Sequence, residues 1–167
     1  MRSLRFIILL TTITLLNSCK VNYSFTGLTE TPETFQVNFF QNDADLVEPG
    51  LDIQFTNALQ DLIQNQSSAQ LVTTGGEVIY EGEITEYRIA PMTATSDNRA
   101  AQNRLTITVN VRYINTKDEE KDFEQRFSFF FDYGANEQLL GGLREEAHEV
   151  IFERLTQDII NASLADW

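Results

Sequence analysis

The sequence predicts an α+β domain: a single, mostly antiparallel sheet of four strands with two helices packed on one face, in the order β-α-β-β-β-α. Three observations carry this expectation. Four runs alternate apolar with polar residues, so each marks a strand with one buried face. Two other runs repeat apolar residues at three- and four-residue spacing, which supplies two amphipathic helices to cover that face. The last three strands follow one another through loops too short for helical crossovers, which makes them antiparallel neighbours. The opposite face of the sheet is then left bare.

The chain opens on a basic start, Arg2 and Arg5, followed by the apolar run Phe6 to Leu16 and then Leu16-Asn17-Ser18-Cys19. This is the layout of a signal peptide. At ~1.5 Å per residue the apolar run covers only about half of a ~30 Å hydrocarbon core, too little for a permanent span. Leu-x-Ser-Cys resembles the bacterial lipobox, in which the cysteine becomes the lipid-bearing first residue. The alternative is an unlipidated secreted protein with an accidental cysteine. Cys19 is the chain's one cysteine, so no intrachain disulfide competes for it. Several acyl chains, palmitate among them, would hold Cys19 firmly, where a single chain is marginal. The expected organisation is a signal peptide over 1–18, a lipidated tether over 19–33 that begins to pack at Tyr23 and Phe25, and a domain over 34–167.

Within that domain Phe35, Val37 and Phe39 alternate with Gln36 and Asn38 as the first strand. Leu51, Phe55, Ala58, Leu59 and Leu62 then mark a helix ending near Asn65, and a short Leu71-Val72 run stops at the turn Gly75-Gly76. The second strand starts with Val78, Tyr80 and Ile84 on one side and resumes with Tyr87 and Ile89 one residue out of phase. A slip of one residue swaps faces, so a β-bulge is expected near Thr85-Glu86. Pro91 ends this strand, and a loop rich in Thr, Ala, Ser, Asp and Asn follows over 92–102. Leu105, Ile107, Val109, Val111 and Tyr113 alternate without a fault as the third strand. Charged residues 117–121 make a hairpin loop, and Phe123, Phe127, Phe129, Phe131 and Tyr133 mark the buried side of the fourth. The second helix carries Leu140, Leu143, Ala147, Val150, Ile151, Leu155, Ile159 and Ala162, with Gly141-Gly142 delaying or kinking its start and Trp167 docking the chain end.

Removing residues 1–18 from 167 leaves 149, enough for one domain with its own core. The loss of two arginines takes the net charge from −13 to −15. So acidic a chain is a poor nucleic-acid ligand, because cationic side chains supply most of that affinity. It is also repelled by anionic membrane surfaces, which leaves anchoring to the lipid. No cofactor is implied. His148, the single histidine, lies among Glu145, Glu146 and Glu149 and reads as a surface residue. Without a second histidine or a free cysteine, neither the common zinc sites nor a nucleophile-base set is available, so no catalytic residue is assigned and no enzymatic activity is expected. Asp43, Asp45 and Glu48 lack the spacing and glycine of an EF-hand loop, and no metal site is assigned.

The informative feature is the bare sheet face. Alternation places Arg104 and Arg112 of the third strand there, together with Arg126 and Phe130 of the fourth, and Arg88 joins them if the bulge is real. Arginine matches phosphate and carboxylate geometry, so these residues read either as a surface for an anionic ligand or as cross-strand partners of Glu83, Glu86 and Glu124.

Several segments, taken in order, resemble the LptE family of lipopolysaccharide-assembly lipoproteins. They are Cys19 with Tyr23-Ser24-Phe25-Thr26-Gly27; Phe40-Gln41-Asn42-Asp43-Ala44 with Pro49-Gly50-Leu51; and Phe55-Thr56-Asn57-Ala58-Leu59. Tyr80-Glu81-Gly82-Glu83-Ile84-Thr85-Glu86-Tyr87 with Pro91, Asn103-Arg104-Leu105-Thr106-Ile107-Thr108-Val109, and Asp158 to Trp167 continue the series. The resemblance implies an outer-membrane lipoprotein that plugs the large β-barrel LptD and helps deliver lipopolysaccharide to the outer leaflet. It implies a sheet with two helices, and lipopolysaccharide contact through basic residues, here Arg104. The acidity of this chain departs from that pattern.

Overall fold

The computed structural model describes residues 32–92 and 102–164. Its strands are β1 (Thr34–Val37), β2 (Gln41–Asn42), β3 (Gln70–Leu71), β4 (Val78–Met92), β5 (Gln102–Asn115) and β6 (Phe123–Gly134); its helices are α1 (Leu51–Gln66) and α2 (Gly142–Leu164). They form one mixed sheet of six strands in the order β3-β1-β4-β5-β6, with β2 pairing on β4 beyond β1. The α+β class stands, with two helices and a long antiparallel β4-β5-β6 ladder; the count of four strands does not.

The two extra strands have a common cause. β1, β2 and β3 are short and pair in parallel, β1 with both β3 and β4 and β2 with β4. The expected alternation fails after Val37: Phe39 is 54% exposed and Phe40 is fully buried, so the chain slips by one residue and splits the first run in two. At the slip the Asn38 amide bonds the Tyr80 carbonyl, and the Phe40 amide, which has left the ladder, donates to Thr56 Oγ1 of α1 at 3.2 Å. That hydroxyl in turn donates to the Asp52 carbonyl at 2.8 Å, so both the Phe40 amide and the Thr56 hydroxyl are satisfied at the kink.

The bulge falls where the phase shift places it, between Ile84 and Glu86. It keeps Ile84 and Tyr87 facing inward and turns Glu86 and Arg88 outward. Phe40 packs against β4 at Gly82, where a Cβ would collide with the Asn110 carbonyl and crowd the Phe40 ring at 2.9 Å. Gly82→Ala should therefore lower stability by about 1–3 kcal/mol in urea unfolding, as overpacked cores do; an unchanged midpoint would show that β4 and β5 have room to part.

Both helices cover the same face and pack on each other through Phe55 and Phe152, whose ring centroids are 5.5 Å apart, and through Gln66 and Gln157, bonded at 2.7 Å. The Tyr80 hydroxyl reaches Ser163 Oγ at 2.9 Å and ties β4 to the end of α2. Gly141, in the left-handed conformation at φ 54°, delays the helix, which leaves Leu140 outside it and 62% exposed. Val150, expected to be buried, is also partly open to solvent.

His148 is corrected from surface to core. It is 4% exposed, on the α2 stripe shared with Phe152 and Leu155, and its Nε2 lies 3.2 Å from the Tyr87 hydroxyl and its Nδ1 3.4 Å from Gln54 Oε1. Burial, and secondarily the positive Arg144, push its pKa down to about 4, so it is neutral near pH 7. No helix among the described residues is long and apolar enough to cross a membrane. The expectations for Cys19, Tyr23, Phe25, the interior of the 92–102 loop and Trp167 lie outside the described residues.

Candidate functional site

The face of the sheet away from the helices carries all five side chains singled out from the sequence. Antiparallel register arranges it in rows across β4, β5 and β6: Glu81, Arg112 and Glu124; Glu83, Asn110 and Arg126; Glu86, Thr108 and Ser128; Arg88, Thr106 and Phe130; Ala90, Arg104 and Asp132. Residues opposite one another on such a ladder have Cβ atoms ~4.5–5.5 Å apart, within reach of direct pairing.

Arg104 is the most organised of the arginines. Its Nε and Nη2 donate to the two carboxylate oxygens of Asp132 at 2.7 and 2.8 Å, and its guanidinium carbon lies 3.5 Å from the centroid of the Phe130 ring. The fork is thus filled on its edge by a carboxylate and on its plane by an aromatic ring. The Arg104 hydrogen bonds hold the Asp132 carboxyl below its usual range. Phe130 itself is 41% exposed.

The other arginines form two further groups. Glu86 receives Arg88 Nε at 2.7 Å and lies 3.7 Å from Arg126 Nη2, and it also accepts the Thr108 hydroxyl at 2.8 Å. Arg88 and then Thr108 account for most of the lowering of the Glu86 pKa. Arg112 reaches Glu81 at 2.9 Å and Glu124 at 3.5 Å, beside a shallow hollow of about 290 Å³ bordered by Asn38, Phe39, Glu83 and Asn110. Glu124 is lowered first by Asn110 and then by Arg112.

Each of the four arginines therefore meets a carboxylate. Arg104 and Arg112 lie eight residues apart on β5, about 27 Å at ~3.4 Å per residue, so the five residues make a surface of three stations and not one pocket. Sequence reasoning missed Asp132 and Glu81 as partners. The signal for Asp132 was present: it shares the parity of Arg126, Ser128 and Phe130 and falls opposite Arg104 once β5 and β6 are in register.

Glu48 binds Arg144 at 2.8 Å. Among the described residues no group of three or more His, Cys, Asp or Glu side chains is placed to hold a metal ion.

Fold and face together define a class: a one-sheet, two-helix α+β domain that presents a broad polar β-surface instead of a cleft. The model of the LptE lipopolysaccharide-assembly family matches residues 33–163, and the chain belongs to that family. A solved hypothetical protein from Chlamydia trachomatis shares the fold at TM-score 0.52 and 11% identity, over 78% of this chain and 94% of that one. The rare lipoprotein B of Shewanella oneidensis matches at 0.46 and 10% identity, over 76% and 89%. A minor lipoprotein of Acinetobacter baumannii matches at 0.47 and 10%, over 80% and 91%. No curated protein matches the sequence.

Proposed function

We propose that the chain is a non-catalytic outer-membrane lipoprotein that plugs an LptD-like β-barrel and assists the insertion of lipopolysaccharide into the outer leaflet. The family match over 33–163 is the observation that carries this reading. In it, residues 1–18 are removed, Cys19 bears the lipid, residues 19–33 form the tether, and the domain enters the barrel from the periplasmic side. The decisive experiment is affinity purification of the tagged protein from detergent-solubilised outer membrane. Recovery of a large barrel protein supports the reading, and its absence under conditions that keep the outer membrane's other complexes intact rejects it.

The second reading, a periplasmic lipoprotein that binds another anionic ligand or protein through Arg88, Arg104, Arg112, Arg126 and Phe130, is favoured by the aromatic seat of Arg104. It predicts that depletion leaves surface lipopolysaccharide unchanged. In the first reading Arg104→Glu with Arg112→Glu should weaken lipopolysaccharide or barrel capture about tenfold or more, as lost charge-assisted contacts do, with the far-UV spectrum unchanged. Unaltered capture would leave these arginines as cross-strand partners only. Cys19→Ala should move the protein from the membrane to the soluble fraction without unfolding it. A purified Cys19→Ala chain that failed to fold would contradict a purely anchoring role.

A further inference from the structure

β6 ends the strand order among the described residues, and none of their strands lies beside its outer side. Its 12 residues, Phe123–Gly134, include neither Lys nor Pro, two common means of blunting an exposed edge, and its charged residues Glu124, Arg126 and Asp132 are engaged on the open face. Beneath that edge α2 leaves a groove of about 310 Å³ lined by Phe129, Val150, Glu153, Arg154 and Gln157. The four helical residues follow i, i+3, i+4 and i+7 spacing and so form one stripe facing β6. Phe129 is half-buried and Val150 is 38% exposed, which makes the floor apolar. Arg154 is held by Asp158 at 3.1 Å, with its guanidinium carbon 5.8 Å from the Phe129 ring. The groove lining itself is balanced between Glu153 and Arg154, but exposed Glu146 and Glu149 lie one turn back on the same stripe and make the adjoining surface of α2 acidic.

A free strand edge beside an apolar slot has the form that accepts an added strand: main-chain hydrogen bonds supply affinity, and alternate side chains read the slot. We propose that β6 and the groove against α2 take up an extended segment of a partner protein as a further strand of the sheet. The segment's apolar side chain lies over Phe129 and Val150, and basic side chains flank it towards Glu146, Glu149 and Glu153. Charge selects this occupant. A second copy of the chain would bring a net charge of −13 and the same acidic stripe against the first, a repulsive pairing. The proposal does not depend on the identity of the barrel.

The probe is a capped peptide, Thr-Lys-Thr-Val-Thr-Lys-Thr, titrated into the mature chain by fluorescence anisotropy and followed by hydrogen exchange at the β6 amides. Binding should slow β6 exchange. N-methylation of the peptide amides that face β6 should weaken binding about tenfold or more by removing two or three main-chain hydrogen bonds. Val150→Lys, a surface change that leaves the core intact, should weaken it comparably. Equal binding of the N-methylated peptide would mean simple charge adsorption and overturn the proposal. So would β6 protection that grows with protein concentration in the absence of peptide, the mark of a second copy. Protection that disappears on deletion of residues 20–31 would assign the edge to the chain's own tether and overturn it as well.

Discussion

Acidifying the domain from pH 7 to pH 4 should remove about 3 kcal/mol of folding stability through His148 alone. The imidazole is sealed among Tyr87, Gln54 and Phe152, and its pKa is pushed from 6.5 down to about 4 by burial first and the Arg144 charge second. The unfolded chain therefore binds a proton between these two values while the folded chain does not. Stability is fully present above the unfolded pKa of about 6.5 and falls as pH drops towards 4. Carboxylates lowered by their partners, Glu86 and Asp132 among them, add losses mainly at the acid end of this window. Urea midpoints measured across the window for the native chain and for His148→Gln separate the two. The glutamine keeps polar atoms near Tyr87 and Gln54 but cannot titrate, so its profile should be nearly flat from pH 6.5 to 5. Parallel profiles would show that His148 is hydrated in solution.

Phe55→Ala should cost about 3–5 kcal/mol, the range for emptying a buried aromatic site. Phe55 stands edge-on to Phe40 at 5.1 Å and to Phe152 at 5.5 Å, so one ring joins the β1-β2 slip, α1 and α2. Its removal opens a cavity between three elements that cannot all close on it. Chemical unfolding with near-UV dichroism would register the loss. A cost below about 1 kcal/mol would mean that α1 shifts inward freely, and with it the Thr56 hydroxyl that serves the Phe40 amide.

The parts of this fold that the sequence made legible are those governed by a sustained period. β5 is paired on both sides, and its apolar residues alternate without interruption because every second side chain meets the helices. The bulge at Thr85 was legible because it leaves a phase error between Ile84 and Tyr87. β2 and β3 were not, since two residues are too few to display a period and their parallel partners lie far along the chain. Phe39 was misassigned and Phe40 left unplaced because the slip is made by hydrogen bonds to β4 and α1 that no local pattern announces. His148 was read through its glutamate neighbours, although its spacing to Phe152 and Leu155 placed it on the buried stripe. Its partners lie 61 and 94 residues away. On the open face the five side chains and two of their carboxylate partners, Glu86 and Glu124, were legible in the sequence, but Asp132 and Glu81 required the register of two ladders.

That open face also bears on how an encounter begins. Its four arginines stand among the five carboxylates of Glu81, Glu83, Glu86, Glu124 and Asp132, so opposite charges nearly balance within a few ångströms, and the small remaining field is screened beyond one ~8 Å Debye length. A molecule arriving from solution is therefore neither drawn nor turned by this face itself, and any ionic-strength dependence of its association comes from the chain's net charge of −13. Once water has been squeezed out, the same pairs lie in a medium of lower polarity, where each misplaced charge on the visitor is costly. The face is quiet during approach and exacting on contact.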